Sequence, residues 1–227
     1  MVERLNPPNS GWQAVDDYIA AHLLGEDDAL SATLAANAAA GLPDIDVSPP
    51  QGKMLHLFAR MAGARRILEV GTLGGYSTIC LARALPAGGK LVSLEIDPHY
   101  ASVARENVAR AGIADRVDIR VGAAVDTLAA MIAAAEAPFD LVFIDADKPS
   151  NVDYLHAAMA LSRSGTTIIV DNVVREGQVV DGNSDDPRVI GTRALFAAIA
   201  AEPRLSATAV QTVGVKKWDG FLLAIMA

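Results

Sequence analysis

Residues 65–85 read RRILEVGTLGGYSTICLARAL. Ile67 to Val70 form a short apolar run around a single acid, Glu69. The run stops at a glycine-rich bend, Gly71-Thr72-Leu73-Gly74-Gly75, and apolar residues then return at helical spacing. This order of strand, turn and helix repeats downstream. KLVSLEI (90–96) leads into a helix from Pro98 to Arg110, and RVDIRVG (116–122) into a helix ending near Ala135. FDLVFIDA (139–146) leads into a helix around Asp153 to Leu161, and GTTIIVDNV (165–173) supplies the fifth run. Strands alternating with helices of this length predict an α/β fold, a mostly parallel sheet covered on both faces.

Outward from that repeat the texture changes at both ends. RLSATAVQTV (204–213), a turn containing Gly214 to Gly220, and FLLAIMA (221–227) predict an antiparallel hairpin added to the sheet, seven strands in all. Upstream, residues 11–40 predict two helices. Trp12, Val15, Tyr18, Ile19 and Leu23 recur at helical spacing, Leu30, Leu34 and Ala38 continue the pattern, and Gly41-Leu42-Pro43 ends it. Asn9 and Ser10 are the candidate caps. Residues 43–50 form a loop, and Pro49-Pro50 opens a helix to about Met61. The expected organisation is one domain over 1–227, with a helical segment at 1–46 and the α/β core at 47–227.

Composition narrows function. Hydrophobic residues make up 52% of the 227 and charged residues 20%, which is ample for a large core and excludes wholesale disorder. Nineteen Lys and Arg against 27 Asp and Glu leave a net charge of −8. So acidic a surface repels a phosphate backbone, and no nucleic-acid partner is expected. No apolar run reaches the roughly 20 residues of a membrane span. MVERLNPPNSGWQ lacks the apolar stretch of a secretory signal, and the single Cys80 excludes an internal disulfide. A cytoplasmic protein without a membrane partner is expected.

In an open α/β sheet the ligand sits outside the carboxyl ends of the strands, near the switch in strand order. The first strand ends at Gly71, where glycine lets backbone approach a ligand at a helix N-terminus. The dinucleotide spacing G-x-G-x-x-G is absent, because Leu73 stands two residues after Gly71. A nucleoside without phosphates fits better, S-adenosylmethionine foremost, with Glu69 facing its positive charge. Asp97-Pro98 reads as a helix cap, which leaves Glu95 as a free carboxylate at the tip of the second strand, suited to both hydroxyls of a ribose.

FIDADK (143–148) is the sharpest local signal. Two acids and a lysine directly after an apolar strand are costly to bury unless they pair or bind a cation. If the fourth and fifth strands are neighbours, Asp145, Asp171 and Asn172 converge as three oxygen ligands. Such a set suits a hard cation, Mg²⁺ or another divalent ion such as Mn²⁺ or Ca²⁺. Asp145 and Asp147 as plain helix caps, and Lys148 as a surface lysine, are the competing readings. His22, His56, His99 and His156 are scattered over predicted helices without a ligand-like partner. Cys80, between Ile79 and Leu81, is expected in the core.

Val47 with Gln51-Gly52, LEVGTLGGYS (68–77), LEID (94–97), FIDADK with Tyr154, VDNV (170–173) and the terminal WDGF (218–221) occur in that order. Together they resemble the magnesium-dependent class I O-methyltransferases of the caffeoyl-CoA and catechol O-methyltransferase family, over roughly residues 47–227. The resemblance implies a Rossmann-like methyltransferase fold with S-adenosylmethionine as donor. It places Glu69, Gly71, Thr72 and Ser77 at the methionine end and Glu95 on the ribose. Ala124, with the backbone of Gly122 and Ala123, would face the adenine; Val47 would close over the donor, and Asp145 and Asp147 would lie beside it. Asp145, Asp171 and Asn172 would hold the metal, and Lys148 would act as general base on a hydroxylated aromatic molecule with vicinal hydroxyls.

A homodimer is also implied, and the N-terminal helices would form a lid or a dimer contact. Asn151 and the neighbourhood of Arg175 are polar where family members often carry aromatic residues. That weakens the walls for a flat phenylpropanoid ring; Trp218 is either a replacement wall or a core residue. A nicotinamide-dependent oxidoreductase shares the fold and Glu95, but it fails on glycine spacing and gives Asp145, Asp171 and Asn172 no role. A catalytically silent donor-binding homologue is disfavoured because the metal candidates and Lys148 are present together.

Overall fold

Caps and prolines in the chain set where its helices start. The computed structural model describes residues 10–227. Helix α1 (Ser10–Ile19) continues through a π-helical turn, Ala20–Leu24, and α2 (Asp28–Ala39) starts behind an Asp27 cap. The candidate cap Asn9 lies outside the described residues, as does the Ser10 side chain. Helix α3 (Pro49–Met61) begins where Ser48 accepts a hydrogen bond from Gln51 N and two prolines preset the first turn.

Five parallel strands follow: β1 (Arg66–Val70), β2 (Lys90–Glu95), β3 (Val117–Val121), β4 (Phe139–Ile144) and β5 (Ser162–Asp171). Between them run α4 (Tyr76–Ala82), α5 (Pro98–Arg110), α6 (Ala124–Ala133) and α7 (Asn151–Ala160). Strands β6 (Leu205–Gly214) and β7 (Lys217–Met226) complete the sheet in antiparallel sense. One helix, α8 (Pro187–Ala200), is not among the expected elements. Yet Asp186-Pro187 opens it with the same cap-and-proline pair that Asp97-Pro98 gives α5. The hairpin turn is also tighter than expected. Val215 and Lys216 alone join the paired Gly214 and Lys217, so Trp218, Asp219 and Gly220 belong to β7.

The strand order is β3-β2-β1-β4-β5-β7-β6. The order therefore switches at β1, flanked by β2 on one side and β4 on the other, and a crevice opens at their carboxyl ends. β4 and β5 are neighbours with Ile144 opposite Val170, so the next residues, Asp145 just past β4 and Asp171 at the end of β5, stand side by side. Alternation along the strands divides the core between two faces. Leu68, Val70, Val142 and Ile168 belong to one cluster; Ile67, Leu141, Phe143 and Ile169 belong to the other, together with Cys80. Burial pushes the Cys80 thiol up to about 12, as suits a core residue.

The N-terminal helices are fastened to this body. Helix α2 packs on α4 and α5, and α1 on β6. Asp16 accepts from Val215 N at 2.8 Å, and Lys216 Nζ reaches Asp44 Oδ1 at 2.8 Å. No helix among the described residues is long and apolar enough to cross a membrane.

Candidate active site

The first part of the site is the glycine bend. Gly71 sits at φ 99°, and a Cβ there would run into the backbone carbonyl of Asp145. Glycine is therefore required both by conformation and by the close passage of β4. Asp145 N donates to Val70 O at 2.8 Å, which locks the two strand ends together. Backbone amides of the bend need acceptors, and Glu95 supplies them. Its Oε2 accepts from Leu73 N at 2.8 Å and Thr72 N at 3.2 Å, and its Oε1 from Asp97 N at 2.9 Å. The carboxylate expected to be free is thus engaged on both oxygens, and it shapes the bend as well as lining it. Asp97 caps α5 as expected, accepting from His99 N.

Glu69 is fully buried. The β1–β2 register sets it opposite Ser93, whose hydroxyl donates to it at 2.7 Å; Ser77 adds a bond at 2.6 Å and Thr78 one at 2.5 Å. Burial raises its carboxyl to about 7 against the pull of these hydroxyls. Ser93 and Thr78 carry no expectation from sequence, although a serine inside the apolar run KLVSLE is the signal for a buried acceptor. Ala124 is the first residue of α6, and Gly122 N on Glu95 O at 2.9 Å brings the end of β3 beside that of β2. Val47 is buried in the same cluster as Tyr76 and Cys80.

The second part lies at the ends of β4 and β5. Lys148 is only 6% exposed, and its Nζ stands 3.0 Å from Asp145 Oδ1, which rejects the surface-lysine reading. Asp147 takes the capping role: it accepts from Ser150 N and Oγ, and from the Tyr154 hydroxyl. Asp171 is buried, and burial together with the Asp145 charge raises its carboxyl to about 7. Asn172 turns the chain at φ 58°, a left-handed conformation that asparagine tolerates better than most residues.

Two residues of the quoted motifs acquire contacts only in the fold. Gln51, at the start of α3, donates from Nε2 to Asp171 Oδ2 at 2.7 Å across 120 residues of sequence. Asp219 Oδ1 accepts from Val174 N, Arg175 N and Gly220 N, each at 3.0 Å, and so pins the segment that follows Asn172. Trp218 lies against Gly177 and packs on the core, with its indole N–H on Gln211 at 3.0 Å. Among the described residues no three His, Cys, Asp or Glu side chains are grouped to hold a metal ion. The candidate set is instead two carboxylates and an amide oxygen. Repulsion between the buried Asp171 and the half-buried Asp145 is what a divalent cation relieves, so Asp145, Asp171 and Asn172 fit one by their chemistry.

A switch-point crevice with an acid-held glycine bend on one strand and a carboxylate–lysine cluster on the next is the arrangement of a Rossmann-like class I methyltransferase. The O-methyltransferase family model matches residues 24–225, and the chain belongs to that family. A catechol O-methyltransferase from Niastella koreensis is 50% identical over 218 residues, covering 96% of this chain and 99% of its own length. The crystal structure of an O-methyltransferase from Bacillus cereus in complex with SAH superposes with a TM-score of 0.96 at 53% identity, covering 97% of this chain and all of that one. That of the O-methyltransferase TomG from Streptomyces achromogenes, involved in tomaymycin synthesis and in complex with SAM, does so at 0.94 and 46% identity, covering 97% and 99%.

Proposed function

We propose that this chain transfers a methyl group from S-adenosylmethionine to one hydroxyl of a catechol-like small molecule, with a divalent ion of the Mg²⁺ type. The observation that carries this reading is the buried Lys148 Nζ held 3.0 Å from Asp145 Oδ1, one strand away from Asp171. S-adenosylmethionine supplies an electrophilic methyl on a sulfonium, and a divalent ion, when bound, eases ionisation of a hydroxyl that it touches. Lys148 Nζ takes that hydroxyl proton, its position fixed by Asp145 and by burial. Glu69 offers negative charge to the cationic end of the donor, and Glu95 shapes the bend that receives the ribose. Val47 and Ala124 close the donor side, with Asp147 beside it. Most of the rate comes from holding the two partners in line.

Asn151 is buried and Arg175 half-buried where family members often carry aromatic residues, which favours a small or polar-substituted catechol over a long flat ring. The exposed Val15, Tyr18 and Leu23 of the N-terminal helices support a homodimer, and the lone buried Cys80 supports a cytoplasmic location. The division into a helical segment, 1–46, and a catalytic core, 47–227, is part of the same reading. The test is incubation with labelled S-adenosylmethionine and a panel of vicinal diphenols, with Mg²⁺ or with EDTA. Methyl transfer that EDTA abolishes and Mg²⁺ restores is expected; transfer indifferent to EDTA would falsify the metal role.

A further inference from the structure

A buried polar chain joins the N-terminal segment to the donor side. Arg110 donates to Asn107 Oδ1. Asn107 Nδ2 donates to Asn37 Oδ1 at 3.0 Å and to the Gly74 carbonyl at 2.9 Å. Asn37 Nδ2 in turn donates to both carboxylate oxygens of Asp46, at 3.1 and 3.3 Å. Asn37 and Asn107 are almost wholly buried. The side-chain bonds run in one direction, from a guanidinium to a carboxylate, with one branch to the Gly74 carbonyl, and each amide oxygen and nitrogen is used. In a low-dielectric interior such a chain is strong when complete and costly when half-made.

The same chain accounts for Gly74. Its φ lies outside the left-handed range, so the backbone does not demand glycine. A Cβ there would overlap the side-chain amide of Asn37. Asn37 therefore sits directly against the glycine bend while holding Asp46, the residue before Val47.

We infer that Asn37 is a positioning residue for the methyl donor: it fastens the Asp46–Val47 segment to the glycine bend and so fixes the N-terminal wall of the donor pocket. The inference rests on the reading of S-adenosylmethionine as donor with Val47 over it. Helix α2 then serves as a fixed wall of the pocket and not as a swinging lid.

The experiment is calorimetric titration of S-adenosylhomocysteine into wild type, N37A, G74A, D46L and D46N, with the acceptor KM measured at saturating donor. N37A and G74A should raise the Kd about tenfold while the acceptor KM moves far less. D46L should do the same, and D46N, which keeps an oxygen for the Asn37 amide, should recover most of the loss. A folded N37A protein that binds like wild type overturns the inference. Should N37A not fold, equal affinities of D46L and D46N overturn it instead. Wild type that fails to bind S-adenosylhomocysteine sinks the donor reading itself, and this inference with it.

Discussion

On the donor side of the crevice, Glu69 and Glu95 are each met by three hydrogen-bond donors of the protein, hydroxyls for the first and backbone amides for the second. At the ends of β4 and β5, Lys148 and Gln51 are the only side-chain donors to Asp145 and Asp171 among the described residues, and burial with the Asp145 charge raises the Asp171 carboxyl. One half is a shape completed by its own bonds. The other is a cluster of two acids and a lysine, to which the proposed cation would add its charge. Under the proposed function the first half is a preformed binding surface and the second the reacting centre, and the two should fail differently when altered.

The largest effect is expected from Lys148→Ala. Turnover should fall by about 10² to 10⁴ in kcat while S-adenosylhomocysteine affinity, followed by calorimetry, stays at the wild-type value. Unchanged turnover would remove the lysine from the chemistry. Next comes Gln51→Leu, which strips Asp171 of its amide partner. Mg²⁺ affinity should weaken by about 10- to 100-fold, read by direct titration of the ion, with donor affinity intact. Equal ion affinity would show that Asp171 needs no orienting group.

The donor half should respond to pH through Glu69. Its folded-state value of about 7 lies above the ordinary 4.5, so the fold favours the protonated form. That contribution to stability is complete below about 4.5 and is lost as pH rises through about 7. A cationic donor favours the ionised form, so its binding should release a proton near neutrality. Glu69→Gln should flatten the difference in Tm between pH 5 and 8; an unaltered profile would place the titration elsewhere. The smallest effect is expected from Tyr154→Phe, which removes one donor from Asp147. Urea unfolding should report a loss of about 1 kcal/mol, with turnover little changed.

Much of the fold is legible because local signals coincide with tertiary ones. Ser48-Pro49-Pro50 starts α3 and Asp97-Pro98 starts α5 where sequence places them, since cap and proline act within a single turn. The same pair at Asp186-Pro187 marks α8, where the apolar periodicity is poorly resolved from its Ala-rich surroundings. Among the candidate site residues, Asp145 and Lys148 are three apart and Asp171 and Asn172 adjacent, so each pair is visible in its own motif. What joins the two pairs is not. Glu95 looks free in sequence because its partners, Thr72 N and Leu73 N, lie more than twenty residues upstream and are backbone atoms.

Residue order alone determined that strands alternate with helices, that their carboxyl ends carry acids and glycines, and which side chains have the chemistry for a donor and a cation. These are matters of short-range sterics, periodicity and side-chain type, written into a few consecutive residues. Only the tertiary structure decided that β4 lies beside β5, that Ser93 faces Glu69, and that Gln51 reaches Asp171. Those contacts arise from strand order and helix packing, in which groups far apart along the chain meet because the core can close in only one arrangement.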